Sequence, residues 1–303
     1  MIAPGTGSLY TIRSATLSDC VAIRHLLSHS RRIYLPAGFQ WLEQRLAAGD
    51  CWVMVEGRHE IAGVLAVLRR HPQVISIVGA AVRNGIPASL YVGKALPLLE
   101  AYGRRQRACG LACLGSAAWL SETLSAQGFL ACEHIITYGW HAGPLPVTGN
   151  RAVTVEPVRH HELEAIAAID RQIFAPVWHK PQDELEFALG RADYFVVAKY
   201  QEHIVGYCWS EWDGTRGHLT RLGVAEEWQG KGIGTRLLTE ALVAMVRAGV
   251  TWVTLNTQLS NEPARRLYER YGFRNLGQAV PLLWKDLEKT SPSLDTSATF
   301  EVT

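Results

Sequence analysis

The residues with the clearest chemical consequence run V-A-E-E-W-Q-G-K-G-I-G, from Val224 to Gly234. Gly230, Gly232 and Gly234 let a chain turn tightly with no Cβ in the way. The main-chain N–H groups from Gln229 through Gly230, Lys231, Gly232 and Ile233 to Gly234 can then converge where the next helix begins. The helix dipole is positive there, which suits a pyrophosphate or a similar anion. Two familiar nucleotide loops fit poorly. A P-loop needs Ser or Thr after its GK, and Lys231 is followed by Gly232. A dinucleotide fingerprint is GxGxxG after a first strand, whereas this GxGxG follows the fourth strand of its half. A glycine-rich turn with no ligand accounts for the same residues. The formal charge of +2 over 303 residues gives no general field for nucleic acid or anionic lipid, so an acidic ligand needs a local site.

The elements that must position this turn can be read from the hydrophobic pattern. VTVEPV reads as a short strand and ELEAIAAID as an amphipathic helix. DELEFALG is a second helix, and YFVVAK, IVGYCWSEW and GHLTRLGV are strands. TRLLTEALVAMVRAG is a long helix with Leu237, Leu238, Ala241, Leu242, Met245 and Val246 on one stripe. WVTLNTQ is a strand, EPARRLYERYG a helix and PLLWKDL a last strand. Alternation of this kind predicts an α/β fold, of α+β character, on a mixed sheet flanked by helices.

The first half repeats the plan. Gly63 in IAGVLAV matches Gly206 in IVGYCWS, and Leu42, Leu46 and Trp52 match Leu185, Leu189 and Phe195, all 143 residues on. Val82 matches Val224 at 142, and Gly128-Phe129 match Gly272-Phe273 at 144. So steady an offset predicts a duplicated domain. The expected division is 1–140, a Gly/Pro-rich linker at 141–152, a second domain at 153–288, and a disordered Ser/Thr-rich tail at 289–303.

Composition sets the broad class. The chain is 48% hydrophobic and 19% charged, as globular proteins are. MIAPGTGSLYTIRSATLSDC lacks the basic start and apolar run of a signal peptide. No stretch nears the roughly 18 apolar residues of a membrane span. The expected setting is cytoplasmic. The six cysteines (Cys20, Cys51, Cys109, Cys113, Cys132, Cys208) form no CxxC pair and read as buried thiols, neither metal ligands nor a disulfide framework.

Taken together, GHLTRLGV, the Q-G-K-G-I-G turn, the strand ending near Asn256 and N-E-P-A-R-R-L-Y-E-R-Y-G-F resemble the GCN5-related N-acetyltransferase (GNAT) superfamily over residues 153–288. Gln229, Gly232 and Gly234 meet its acetyl-CoA signature, Q/R-x-x-G-x-G/A. The resemblance implies two tandem domains, each on a splayed mixed sheet. In the second, the strand ending at Val224 would part from the one at Trp252 to Thr257. The pantetheine arm of acetyl-CoA would lie in that gap, bonded to main chain at Leu222 and Val224, with its pyrophosphate on the turn. It also implies that Tyr268 protonates the departing sulfur and that Asn261 contacts the cofactor arm. Asn261 also precedes Glu262-Pro263 and suits a helix N-cap. A main-chain amide near Leu222 or Gly223 would meet the oxyanion.

The base departs from the family pattern. Many members carry a Glu six residues before the Val224 position, and here that residue is His218. A neutral imidazole accepts a proton at pH 7. Simple alternation puts His218, Thr220, Leu222 and Val224 on one face unless a bulge intervenes. Glu211 and Asp213 are rival carboxylates. The loop FAPVWHKPQ, with Phe174, Trp178 and His179, is expected to cover the acceptor, with Trp209 and Trp212 as further aromatic wall.

The first half lacks the signature. R-N-G-I-P-A-S-L follows Val82, Pro87 and Ser89 stand in place of the glycines, and Leu124 stands at the Tyr268 position. It is expected to be a degenerate copy that packs, bounds the acceptor groove or mediates association. The expected function is transfer of an acetyl group from acetyl-CoA to a primary amine in a ternary complex. R-L-G-V and L-Y-E-R-Y-G-F lean towards peptide or protein amines over small molecules. The alternative is an acyl-CoA-binding regulatory module whose catalysis has lapsed. Expected partners are acetyl-CoA and the amine, with no nucleic acid, membrane or metal.

Overall fold

The computed structural model describes residues 9–36, 39–57, 60–145 and 148–288. The tail at 289–303 and residues 146 and 147 of the expected linker lie outside them. In chain order the elements are β1 (Tyr10–Ser14), α1 (Cys20–His29), β2 (Arg32–Tyr34), α2 (Phe39–Ala47), β3 (Cys51–Glu56), β4 (Glu60–His71), β5 (Val74–Val82), α3 (Ala88–Arg105), β6 (Gly110–Leu114) and α4 (Ala118–Ser125). There follow β7 (Leu130–His141), β8 (Thr154–Pro157), α5 (Leu163–Ile173), α6 (Gln182–Arg191), β9 (Tyr194–Tyr200), β10 (His203–Asp213), β11 (Arg216–Val224), α7 (Ile233–Arg247), β12 (Trp252–Gln258), α8 (Glu262–Arg270) and β13 (Arg274–Asp286). Every element expected in the second half is present, and the last strand begins at Arg274 instead of Pro281.

Packing divides the chain elsewhere than the sequence repeat does. Among the described residues one compact unit is 9–132 with 281–288, and the other is 133–280. The expected boundaries at 140, 153 and 288 are therefore not the packing boundaries. Residues 135–141 of β7 pair antiparallel with β12, inside the second unit. Residues 282–286 of β13 pair antiparallel with β6, inside the first. A repeat in sequence marks where strands occur and not which neighbour they join, so it misses this exchange of final strands.

Within the first unit the strand order is β1-β3-β4-β5-β6-β13, with β2 also on β5. Helices α3 and α4 pack on one face around Leu96, Leu99 and Leu124. Helices α1 and α2 cover the other around Ile23, Leu26 and Leu42. The second unit repeats this as β7-β12-β11-β10-β9-β8. Its α7 and α8 cover one face, around Leu237, Leu238, Leu242 and Phe273. Its α5 and α6 cover the other, around Ile166, Leu185, Tyr207 and Trp209. The α7 stripe is as expected except for Val246, which is 43% exposed.

Among the described residues each unit has a single parallel pair, mid-sheet and short. β5 and β6 pair from Val74↔Gly110 to Ile77↔Cys113, and β11 and β12 pair from Arg216↔Trp252 to Leu219↔Leu255. Both central strands then carry a bulge against their antiparallel neighbour. Ala66 pairs with Gly79 and Val67 with Ile77, leaving Val78 over. Trp209 pairs with Arg221 and Ser210 with Leu219, leaving Thr220 over. An extra residue bends the bulged strand and raises its twist. The sheet splays from that point.

All six cysteines are free, and Cys51, Cys113 and Cys208 are buried. Cys132 is exposed, so not every thiol is a core residue as expected. Among the described residues no helix is long and apolar enough to cross a membrane, and no group of three His, Cys, Asp or Glu is placed to hold a metal ion.

Candidate active site

Beyond Leu219 no strand among the described residues pairs with the β12-facing edge of β11. Ala225 N–H donates to Val205 C=O on β10 at 3.0 Å. By the antiparallel alternation, Gly223 and Arg221 also turn their main-chain groups towards β10. Those of Leu222 and Val224 face the open edge. The expected oxyanion donor narrows accordingly, because the Gly223 amide is turned away and the Leu222 amide is not. Leu222, Val224, Ala264 and Leu267 are half-buried apolar side chains packed on the α7 side of the core. A Cβ on Gly234 would lie 3.6–3.7 Å from Leu222, Val224 and Leu267, so β11, α7 and α8 meet there. The result is a slot with apolar walls along an edge of β11 that no described strand covers.

The glycine turn closes one end of the slot. Gly230 and Gly232 take left-handed φ of 71° and 76°, conformations that suit glycine. The N–H groups of Gly230, Lys231 and Gly232 have no acceptor among the described residues. Those of Ile233 and Gly234 lie in the first turn of α7, where no intrahelical acceptor exists. Gln229 departs from expectation. Its N–H is bonded to Glu226 C=O at 3.1 Å, and its side chain donates to Val224 C=O at 3.1 Å. It braces the turn, and the cradle of free N–H groups runs from Gly230 to Gly234. Lys231 lies with Nζ 4.5 Å from the Trp228 ring centre.

Asn150, which sequence reading assigned to a linker, shapes this cradle. Its N–H donates to Gly232 C=O at 3.1 Å and its side-chain amide to Lys231 C=O at 2.9 Å. In a planar trans peptide the C=O and the following N–H point in opposite directions. Tying back those two carbonyls therefore aims the N–H groups of Gly232 and Ile233 outward. No sequence signal marks this role, because Asn150 lies far from the turn along the chain.

Tyr268 on α8 is buried, tilted against Tyr138 and Phe273. Its hydroxyl has no hydrogen-bond partner among the described residues. Burial pushes the phenol above its ordinary pKa, so it carries its proton at neutral pH. Asn261 caps α8, its Oδ1 accepting from Ala264 N–H at 3.2 Å, so the capping role is realised. The corresponding residue of the first unit, Leu124, is buried in its core and has no proton to give.

The bulge overturns the expected alternation. Because Thr220 is the extra residue, His218 falls on the face of Trp209, Arg221 and Gly223, opposite Leu222 and Val224. On that face Glu211 stands directly across from it on β10. His218 Nδ1 lies 2.9 Å from Thr254 Oγ1. Burial lowers its pKa from the usual 6.5, which keeps the ring neutral at pH 7. Asp213 is exposed near the hairpin end, in register with Arg216.

The aromatic wall is also corrected. Trp209 is buried in the α5/α6 core, whereas Trp212 packs on the α7 side, so the two lie on opposite faces. His179 is buried with Nε2 2.7 Å from Phe174 C=O, a bond within its own loop. Sequence reading also missed Asp170, Tyr207 and Arg221, which form a buried hydrogen-bonded cluster beside that loop.

Comparison with known proteins gives a consistent picture. The model of the Acetyltransferase (GNAT) family matches residues 163–273. An uncharacterised N-acetyltransferase of Methanocaldococcus jannaschii is 32% identical over 128 residues, covering 42% of this chain and 81% of that protein. A mycothiol acetyltransferase of Corynebacterium aurimucosum is 36% identical over 74 residues, covering 23% of this chain and 24% of that protein. A tandem GNAT protein from the clavulanic acid biosynthesis pathway shares the fold, with a TM-score of 0.65 at 15% identity over 94% of this chain and 99% of that one.

Proposed function

The chain belongs to the GNAT family of acetyltransferases, and on that premise we propose that its second unit moves the acetyl group of acetyl-CoA directly onto a primary amine. As a family member it is an acyltransferase that draws on acetyl-CoA. What carries the finer reading is the open edge of β11 beyond Leu219, running from half-buried apolar walls to five free N–H groups at the start of α7. A pantetheine arm presents amides to such an edge, and a pyrophosphate matches such a cradle.

The amine nitrogen attacks the thioester carbonyl while His218, neutral at pH 7, takes its proton. The Leu222 N–H meets the oxyanion that forms. When the C–S bond breaks, the sulfur takes the electron pair and Tyr268 donates the proton that makes it a thiol. Asn261 caps α8 and so fixes the helix that carries Tyr268. The acceptor we favour is a peptide or protein amine, on the R-L-G-V and L-Y-E-R-Y-G-F segments. A small-molecule amine is the second reading, since part of a mycothiol acetyltransferase also matches.

The first unit we read as a degenerate copy, because its slot is filled. Ala80 and Val82 correspond to Leu222 and Val224, and Arg83 N–H donates to Ala62 C=O just as Ala225 does to Val205. Their main-chain groups face the edge that β6 has left. There β2 pairs with them, Arg32↔Val82 to Tyr34↔Ala80. Calorimetry with acetyl-CoA, followed by thiol release against a panel of peptide and small amines, tests the whole proposal. Tight binding with free thiol only when an amine is present is the expected result. Binding without thiol release from any amine would leave an acyl-CoA-binding module.

A further inference from the structure

The segments joining the first two helices of each unit, residues 30–38 and 174–181, are of nearly equal length and differ in course. Residues 32–34 of the first run as β2 along β5. The second does not pair with β11 and is held by a buried cluster. Asp170, fully buried at the end of α5, accepts from Arg221 Nε at 2.9 Å and Nη2 at 2.6 Å, from the Tyr207 hydroxyl, and from Lys180 N–H at 2.8 Å. Arg221 Nη2 also donates to Trp178 C=O at 2.8 Å, and the guanidinium lies 3.4 Å from the Phe174 ring centre. The start and middle of the loop are thereby fastened to Arg221, and its far end to Asp170.

At the repeat offsets of 143 and 142, the first unit has Leu27, Val64 and Gly79 in place of Asp170, Tyr207 and Arg221. None of these offers a charge or a side-chain hydrogen bond. The unit without the cluster is the unit whose loop has closed onto the strand edge. Arg221 lies on β11 itself, next to Leu222, so its anchor acts where the slot opens.

We propose that Arg221, seated on Asp170 and Tyr207, is a positioning residue that holds the 174–181 loop away from the free edge of β11 and so keeps the acetyl-CoA slot accessible. The inference rests on the slot being the acetyl-CoA site. Removing one member of a buried ion pair leaves the other unpaired and is strongly destabilising, whereas replacing all members by apolar groups of similar volume is often neutral. The test is therefore the triple variant Asp170→Leu, Tyr207→Phe, Arg221→Met, read by thermal melting, acetyl-CoA calorimetry and steady-state kinetics.

A strut makes the variant fold with an unchanged or higher melting temperature, yet weakens acetyl-CoA binding and raises its KM about tenfold or more. kcat at saturating acetyl-CoA is expected to change far less. Folded protein with wild-type affinity and KM would overturn the proposal, since a merely structural cluster has no further effect once folding is preserved. Should the triple variant not fold, Tyr207→Phe alone is read the same way. It removes one hydrogen bond to Asp170 and leaves the ion pair, so it is read beside Arg221→Lys. That change keeps a charge by Asp170 but loses the planar fork that bridges Asp170 and Trp178 C=O. Unchanged affinity in both counts against the strut. Wild-type protein that binds no acetyl-CoA would instead sink the functional reading itself.

Discussion

The two units share a bulge, a short parallel pair and a splay, yet only one keeps a vacant strand edge. In the first unit Ala80 and Val82 are 2% and 0% exposed, with β2 paired against them. In the second, Leu222 and Val224 are half-buried with no strand beside them among the described residues. The bulge therefore makes a splay, and a splay alone is not a binding site. What decides its use is whether the chain satisfies the freed main-chain groups itself or leaves them for a ligand. Unpaired buried polar groups carry a large cost, so a unit with no ligand is more stable closed, and β2 supplies that closure.

The sharpest way to break this comparison is to injure both turns alike. Gly232→Asp puts a carboxylate at the cradle; its Cβ would meet only Asn150, at 3.5 Å or more, so the left-handed φ of 76° is its main cost, about 1 kcal/mol, and the protein should fold. Loss of measurable acetyl-CoA binding by calorimetry is expected. Ser89 stands at the Gly232 position of the first unit, so the comparison there is Gly85→Asp, at the left-handed glycine of that turn, with φ of 87° and nothing within 4 Å of the new Cβ. It is expected to cost about 1 kcal/mol of stability and leave acetyl-CoA affinity intact. Wild-type protein is expected to bind one equivalent. A second equivalent, or a weaker complex with Gly85→Asp, would show the first slot to be functional.

Next in size is His218→Asn, expected to lower kcat/KM at pH 7 about a hundredfold. The base acts when deprotonated, and burial lowers its pKa from 6.5. The wild-type rate should fall with acidification through an inflection below 6.5, and the variant should lack that inflection. The same depression stabilises the fold above the unfolded-state pKa near 6.5, a contribution lost as pH falls through the lower folded value. A pH–rate profile unchanged by the substitution would remove His218 from the mechanism.

Much of this comparison was legible in the sequence. The glycine turn, the strands around it, the repeat and the missing glycines after Val82 depend on local residue types, which sequence displays directly. The bulge at Thr220 was not legible, because one extra residue in a strand of mixed character leaves the pattern nearly unchanged while moving His218 to the other face. Strand β2 was missed because R-I-Y is too short to show a period of two. Asn150, Asp170 and Arg221 act across long separations, and their polar types alone fit a surface as well as a cluster. The exchange of β7 and β13 between units leaves no mark on either strand's own pattern.

Tyr268→Phe separates the two units at the chemical step. The hydroxyl has no partner among the described residues, so its removal leaves no polar group stranded and stability should hold. kcat is expected to fall about tenfold or more while acetyl-CoA affinity stays close to wild type. Leu124, its buried counterpart, shows what the position becomes when only packing is required. A wild-type kcat would place the general acid elsewhere.

The smallest expected effect concerns two asparagines that tie the two turns to different things. Asn84 accepts from Arg31 N–H at 3.0 Å and donates to His29 C=O at 2.7 Å, fastening the first turn to the approach of β2. Asn150 fastens the second turn from behind, through the carbonyls of Lys231 and Gly232, and so leaves its N–H groups outward. Asn150→Ala keeps the main-chain bond to Gly232 and loses the side-chain bond to Lys231. One such bond is worth about 1 kcal/mol, or about fivefold in affinity. Weaker acetyl-CoA binding by that amount, with kcat at saturation unchanged, is expected. Asn84→Ala should lower the melting temperature without touching acetyl-CoA affinity, because the turn it secures faces a strand of its own chain. Equal effects of the two substitutions on acetyl-CoA binding would mean that the turns are not divided between ligand and chain as their hydrogen bonds indicate.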